Sequence, residues 1–176
     1  MKLDQLLNES FNKAYPLGTP QKMGNMITYP FTTEAGAKYN AEFFRVNDEF
    51  GNSVYEASFS LEQGGEAIYG KQADGPKQMR TGNPTTIIAT VMMAMYQMTR
   101  TYRVDAIFFD GATPALGKLY ERMMNTLNVP GWHVHQFAMG SQKLFVLMSD
   151  AAHRQGNDGD ILRTINDYHG GNVRMT

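Results

Sequence analysis

Apolar residues along this chain recur first at helical spacing, then in alternation, then at helical spacing again. Leu3, Leu6, Leu7 and Phe11 predict a short amphipathic helix over residues 2–13. Tyr15-Pro16 stops it, because proline disfavours helix at the residue before it. Pro16, Gly18, Pro20 and Gly24 make residues 16–25 a loop. Met26 to Phe31, Ala37 to Val46 and Ser53 to Leu61 are rich in aromatic and β-branched residues with partial alternation, and predict an antiparallel meander. Glu34-Ala35-Gly36 and Asp48 to Asn52 supply its turns. Glycines punctuate residues 62–83, with room for one short strand at Glu66 to Lys71.

Asn83-Pro84 starts a helix, as a favoured N-cap followed by a favoured first helical residue. Ile87, Val91, Met95 and Met98 form one apolar stripe, and Ile88, Met92 and Tyr96 a second beside it. A helix apolar over so much of its circumference is buried; this one ends near Thr101. Val104 to Phe109 reads as a buried strand closed by Asp110-Gly111. Thr113-Pro114 opens a further helix marked by Leu116, Tyr120, Met123 and Leu127. Trp132 to Ala138 and Lys143 to Met148 read as two antiparallel strands. From Ala151 the chain is a polar tail with a short helix over Ile161 to Tyr168. The expected architecture is α/β, a single domain over residues 1–150 with a mixed, mostly antiparallel central sheet and helices on both faces.

Composition narrows the function classes. Sixteen basic against seventeen acidic residues leave a net charge of −1, so no basic excess points to nucleic acid or to an anionic membrane. No apolar run approaches the ~20 residues of a membrane span, and the first residues lack a signal-peptide pattern. The chain has no cysteine, hence no disulfide framework and no thiolate metal site. The expected compartment is the cytoplasm. Its thirteen methionines read as adaptable core filler, or as an adaptable binding surface.

Two features carry candidate chemistry. Arg80, Thr81, Gly82, Asn83 and Thr85 surround a helix start, where free N–H groups and the positive dipole end attract anions. Taken alone, the same residues read first as a plain helix cap, because capped helices far outnumber phosphate sites. His133-x-His135 puts two imidazoles on one strand face, but His153 and His169 lie in the polar tail, so no metal is expected.

The element order gives the helix start a further meaning. The loop at Arg80 to Asn83, the helix from Pro84, the strand Val104 to Phe109 and the helix Thr113 to Leu127 resemble the cofactor half of the Gcn5-related N-acetyltransferases, the GNAT fold. Leu116 to Met123 is similar to that family's helix ending in "LYxxxGF". The resemblance covers about residues 78–148. It implies acetyl-CoA as cofactor, with its pyrophosphate on Arg80 to Thr85 and its thioester near Tyr120 as general acid. It implies a base from Glu56 or Glu62, with Glu66 an equal candidate, and as acceptor an amine of a protein or small molecule. The departures are specific. One glycine remains in the loop, Pro84 donates no N–H, and Met124-Asn125 replaces Gly-Phe. A frame retained for binding without chemistry is therefore the alternative. The "LLNE" opening, Leu6 to Glu9, is similar to phage-encoded proteins of this reduced fold, which implies a host or virion partner. The stripe of the first helix must pack on the sheet or on another chain, so an oligomer is one outcome.

Overall fold

The computed structural model describes residues 14–63, 66–69, 83–111, 117–121, 124 and 130–174. The predicted helix over residues 2–13, the loop residues Arg80, Thr81 and Gly82, and most of the helix predicted from Thr113 lie outside the described residues. The chain is α/β with mostly antiparallel strands, and it forms two compact units. Unit 1 comprises Met1–Phe44 and Ala57–Tyr102, and unit 2 comprises Arg45–Glu56 and Arg103–Thr176.

In unit 1, β1 (Gln21–Met23), β2 (Met26–Thr32), β3 (Lys38–Arg45), the later part of β4 (Val54–Gln63) and β5 (Glu66–Tyr69) follow one another across the sheet. β2 pairs antiparallel with β1 and with β3, and β4 with β5. Alternation puts Ile27, Tyr29 and Phe31 of β2 into the core, while Met26, Thr28 and Pro30 are half-buried. Tyr39, on β3, stacks on Phe31 with ring centroids 5.5 Å apart. Helix α1 (Pro84–Thr101) begins and ends where the sequence predicts, and ten of its side chains are buried, Thr86 to Met92 without a break. β1 was not foreseen; all three of its residues are exposed, so no apolar pattern marks it.

Unit 2 is built on β6 (Ala106–Asp110). One edge of β6 pairs in parallel with the start of β4, as Val54↔Ala106, Tyr55↔Ile107 and Glu56↔Phe108. The other pairs antiparallel with β8 (Gln142–Ser149), which pairs in turn with β7 (Trp132–Met139). The parallel partner of β6 is thus β4, and β5, which lies nearer to β6 in the chain, runs antiparallel beside β4. Val54, Ala106, Phe108, Val146 and Met148 line one face and pack with Ala152, Ile161, Ile165 and Val173. Those last four residues come from α2 (Asp150–Arg154), α3 (Asp158–Tyr168) and β9 (Val173–Arg174), so the polar C-terminal segment supplies part of this core. Phe109 and Phe145 face the opposite way, where Tyr120, from a helical stretch at 117–121, packs on both. Helices thus cover both faces of this unit. Among the described residues no helix is long and apolar enough to cross a membrane.

One buried charge stands out in unit 1. Glu42 on β3 is 5% exposed and accepts a 2.8 Å hydrogen bond from the Ser60 hydroxyl. Burial raises its carboxyl above the ordinary value, and the Ser60 bond pulls the other way. Below pH 4.5, where an unfolded glutamate is protonated, the neutral acid costs little. As pH rises, the unfolded chain ionises before the buried group does, and stability is lost. Glu42→Gln is therefore expected to raise the melting temperature at pH 7 by about 2–4 °C, the shift that about 1 kcal/mol makes in a chain of this size. Near pH 4 the variant and the parent should melt together. An equal shift at both pH values would mean that packing rather than ionisation sets the difference.

Candidate functional site

The start of α1 is built from the cap outward. Asn83 is extended at φ −77° and ψ 118°, which turns its side chain back over the first helical turn. Its Oδ1 accepts from the backbone N–H of Thr85 at 3.0 Å and of Thr86 at 3.4 Å. Pro84 has no N–H, and the Ile87 amide bonds the Asn83 carbonyl at 2.9 Å. Tyr15 is fixed beside the helix, because its backbone N–H donates to Thr90 Oγ1 at 2.8 Å and its hydroxyl donates to Glu34. Burial, and then the Glu34 bond, hold that phenol above its usual range. Among the described residues of the first turn, the amides of Thr85, Thr86 and Ile87 are therefore all engaged by Asn83.

Glu56, Glu62 and Tyr120 are held in different surroundings, and the Glu66 side chain lies outside the described ones. Glu62 lies exposed on β4 in unit 1, where it accepts from Asn40 Nδ2 at 3.2 Å. In unit 2, Glu56 is the register partner of Phe108 and shares its face. It accepts from the Tyr168 hydroxyl at 2.7 Å. The Tyr168 ring lies edge-on to Phe108 at 5.4 Å, and its phenol is raised above its normal range by burial, then by the Glu56 bond and charge, then by Asp110. Tyr120 is 7% exposed and packs edge-on to Phe109 at 4.9 Å and to Phe145 at 5.9 Å. Phe108 and Phe109 are neighbours in one strand and point to opposite faces. Glu56 and Tyr120 therefore stand on opposite sides of the sheet of unit 2.

A third cluster joins residues that sequence reasoning kept apart. His133 Nε2 lies 2.9 Å from Asp150 Oδ1, and His153 Nδ1 lies 2.6 Å from Asp158 Oδ2. The rings of His133 and His153 are 4.4 Å apart. His135 Nε2 and Asp158 Oδ1 are buried without a hydrogen-bond partner. Among the described residues no group of three or more His, Asp or Glu side chains is arranged to hold a metal ion.

No protein-family model and no curated protein matches this chain.

What the chain can do chemically thus follows from its own geometry. The Thr85 and Thr86 amides at the helix start are bonded to Asn83, the phenol of Tyr120 is packed among aromatic rings, and Glu56 holds a tyrosine hydroxyl. The histidine cluster was hidden because His153 reaches β7 only once α2 folds back on the sheet. The one available signal was the i, i+2 histidine pair, which places both rings on one face.

That cluster makes stability depend on pH. Burial holds the His135 imidazole below its ordinary value; Asp158 opposes this, and His133 and His153 add to it. Between the unfolded value of about 6.5 and the lower folded value, the unfolded chain binds a proton that the folded chain refuses. The His135 contribution therefore lowers stability as pH falls through that window. The melting temperature of His135→Leu should drop less between pH 7 and pH 5 than that of the parent. Parallel melting profiles would exclude His135 as the source.

Proposed function

We propose that this chain is a binding protein carried on an acetyltransferase-like frame, with no acetyl transfer of its own. One observation supports this above the others: at the α1 start, where the resemblance puts the cofactor pyrophosphate, the Thr85 and Thr86 amides are taken by Asn83 and Pro84 has none to give. A pyrophosphate at a helix start is held by free N–H groups, and an anion here must first break those internal bonds. The opposed faces of Glu56 and Tyr120 support the same reading, since acyl transfer needs its base and acid at one carbonyl. The resemblance of the "LLNE" opening to phage proteins makes a host or virion component the partner class in this proposal.

A second reading, an acetyl-CoA-dependent N-acetyltransferase, is favoured by one feature of unit 2. The parallel ladder ends at Glu56↔Phe108, while β6 runs on to Asp110. The resemblance expects a pantetheine arm to enter beside this strand. On that reading Glu56 takes the proton of the amine, and Tyr120 stands on the far face.

Calorimetric titration of the full chain with acetyl-CoA separates the two. The binding-protein reading expects no saturable heat. A Kd of about 100 µM or tighter would overturn it, since that corresponds to about 5.5 kcal/mol of specific binding.

A further inference from the structure

A groove enclosing about 250 Å³ opens on unit 2, lined by Asn47, Glu49, Phe50, Arg163, Asp167 and Tyr168 among others. Its aromatic walls are unusually open for large apolar residues, with Phe50 44% and Tyr168 45% exposed. Phe50 is held there by its own loop. Asp48 Oδ1 accepts from the Phe50 amide at 2.6 Å and Oδ2 from the Asn52 amide at 3.1 Å, while Gly51 takes a φ of +82° that disfavours a side chain. Tyr168 is fixed from behind by its bond to Glu56, so its hydroxyl is committed and its ring remains on the groove.

The protein's own Arg163 shows what this wall accepts. Its guanidinium lies 5.7 Å from the Phe50 ring centroid, and its Nε is 4.0 Å from Asp167 Oδ2. Both partners of that ion pair are 70% exposed, so the pair is loose and readily exchanged. The lining carries two carboxylates, Glu49 and Asp167, against the single cation Arg163. An anion would meet net repulsion, whereas a second cation finds ring faces and a carboxylate already arranged for one.

We infer that this groove is a docking site for a lysine or arginine side chain of a basic peptide segment, with Arg163 as an internal placeholder that the incoming cation displaces. The groove lies wholly in unit 2, so the inference does not rest on the state of the α1 start. It goes beyond the proposed function by giving the partner a chemistry.

The test is fluorescence anisotropy of a labelled pentalysine peptide with the full chain at low salt, with pentaglutamate as the opposite-charge probe and no acetyl-CoA present. Saturable binding of pentalysine alone is expected. Phe50→Ala, which changes no charge, should weaken it about fivefold or more. Phe50→Leu, which keeps an apolar side chain but loses the ring face, should also weaken it, and guards against a folding defect in the alanine variant. Arg163→Gln should tighten binding, and by more than Arg154→Gln, which removes one positive charge from α2 outside the groove. No saturable binding, equal or better binding of pentaglutamate, undiminished affinity in both Phe50 variants, or weaker binding in Arg163→Gln each overturns the inference. Because acetyl-CoA is absent, failure here leaves the calorimetric test of the proposed function unaffected.

Discussion

Unit 2 depends on how one buried carboxylate, that of Asp105, fixes the start of β6. Antiparallel neighbours can take their register from a tight turn, but a parallel pair has no hairpin to set it. Here the register is set by a knot of bonds at one residue. Asp105 Oδ2 accepts from the Ser53 amide at 2.7 Å, and the Asp105 amide donates to the Ser53 carbonyl at 2.9 Å. The Asp105 carbonyl then accepts from the Ser149 amide at 2.9 Å, at the end of β8. Three chain segments meet at one residue that is 5% exposed, with the Arg103 guanidinium 3.3 Å from its carboxylate. Ser149 also caps α2 by accepting from the Ala152 amide at 3.2 Å. The same knot that sets the strands therefore starts the helix that brings His153 to His133.

Once β6 is placed, its alternation decides which side chains can cooperate. Ala106 and Phe108 are committed to the face covered by α2 and α3, and Phe109 to the face covered by Tyr120. A one-residue slip would exchange every one of these positions. This is why the candidate acid and base of the sequence reading part company. Glu56 inherits the face of Phe108 through the ladder, and Tyr120 is held by Phe109 and Phe145.

The local elements were legible where one pattern fixed them. Alternation delivered β2, β3 and β4, and the Asn83-Pro84 cap with its double apolar stripe gave both ends of α1. Elements whose reason lies elsewhere in the chain were not legible as core. α3 carries only Ile161 and Ile165 as fully buried apolar residues among polar neighbours, which is enough to dock but reads as tail. β9 is two residues long and exists through its pairing with β7. The site divides in the same way. Asn83 was readable as a cap because its bonds reach only two and three residues ahead. The bond from the Tyr15 amide to Thr90, which fixes Tyr15 beside the helix, was not, because nothing local to either residue brings them together.

Acyl transfer needs two provisions, a place for the activated donor and a place for the nucleophilic amine, and they are physically separable. The first rests on backbone N–H groups that nothing else has claimed. At the start of α1 a proline removes one and the Asn83 side chain takes those of Thr85 and Thr86, and each such bond must be broken before a phosphate can be held. The second needs only aromatic faces and carboxylates near an open groove, as around Phe50 and Asp167. Closing the helix start removes no group from that groove, because the residues concerned belong to different units. A frame of this kind can therefore stop handling an acyl donor and still hold a cation, and on the proposals made above this chain is such a frame.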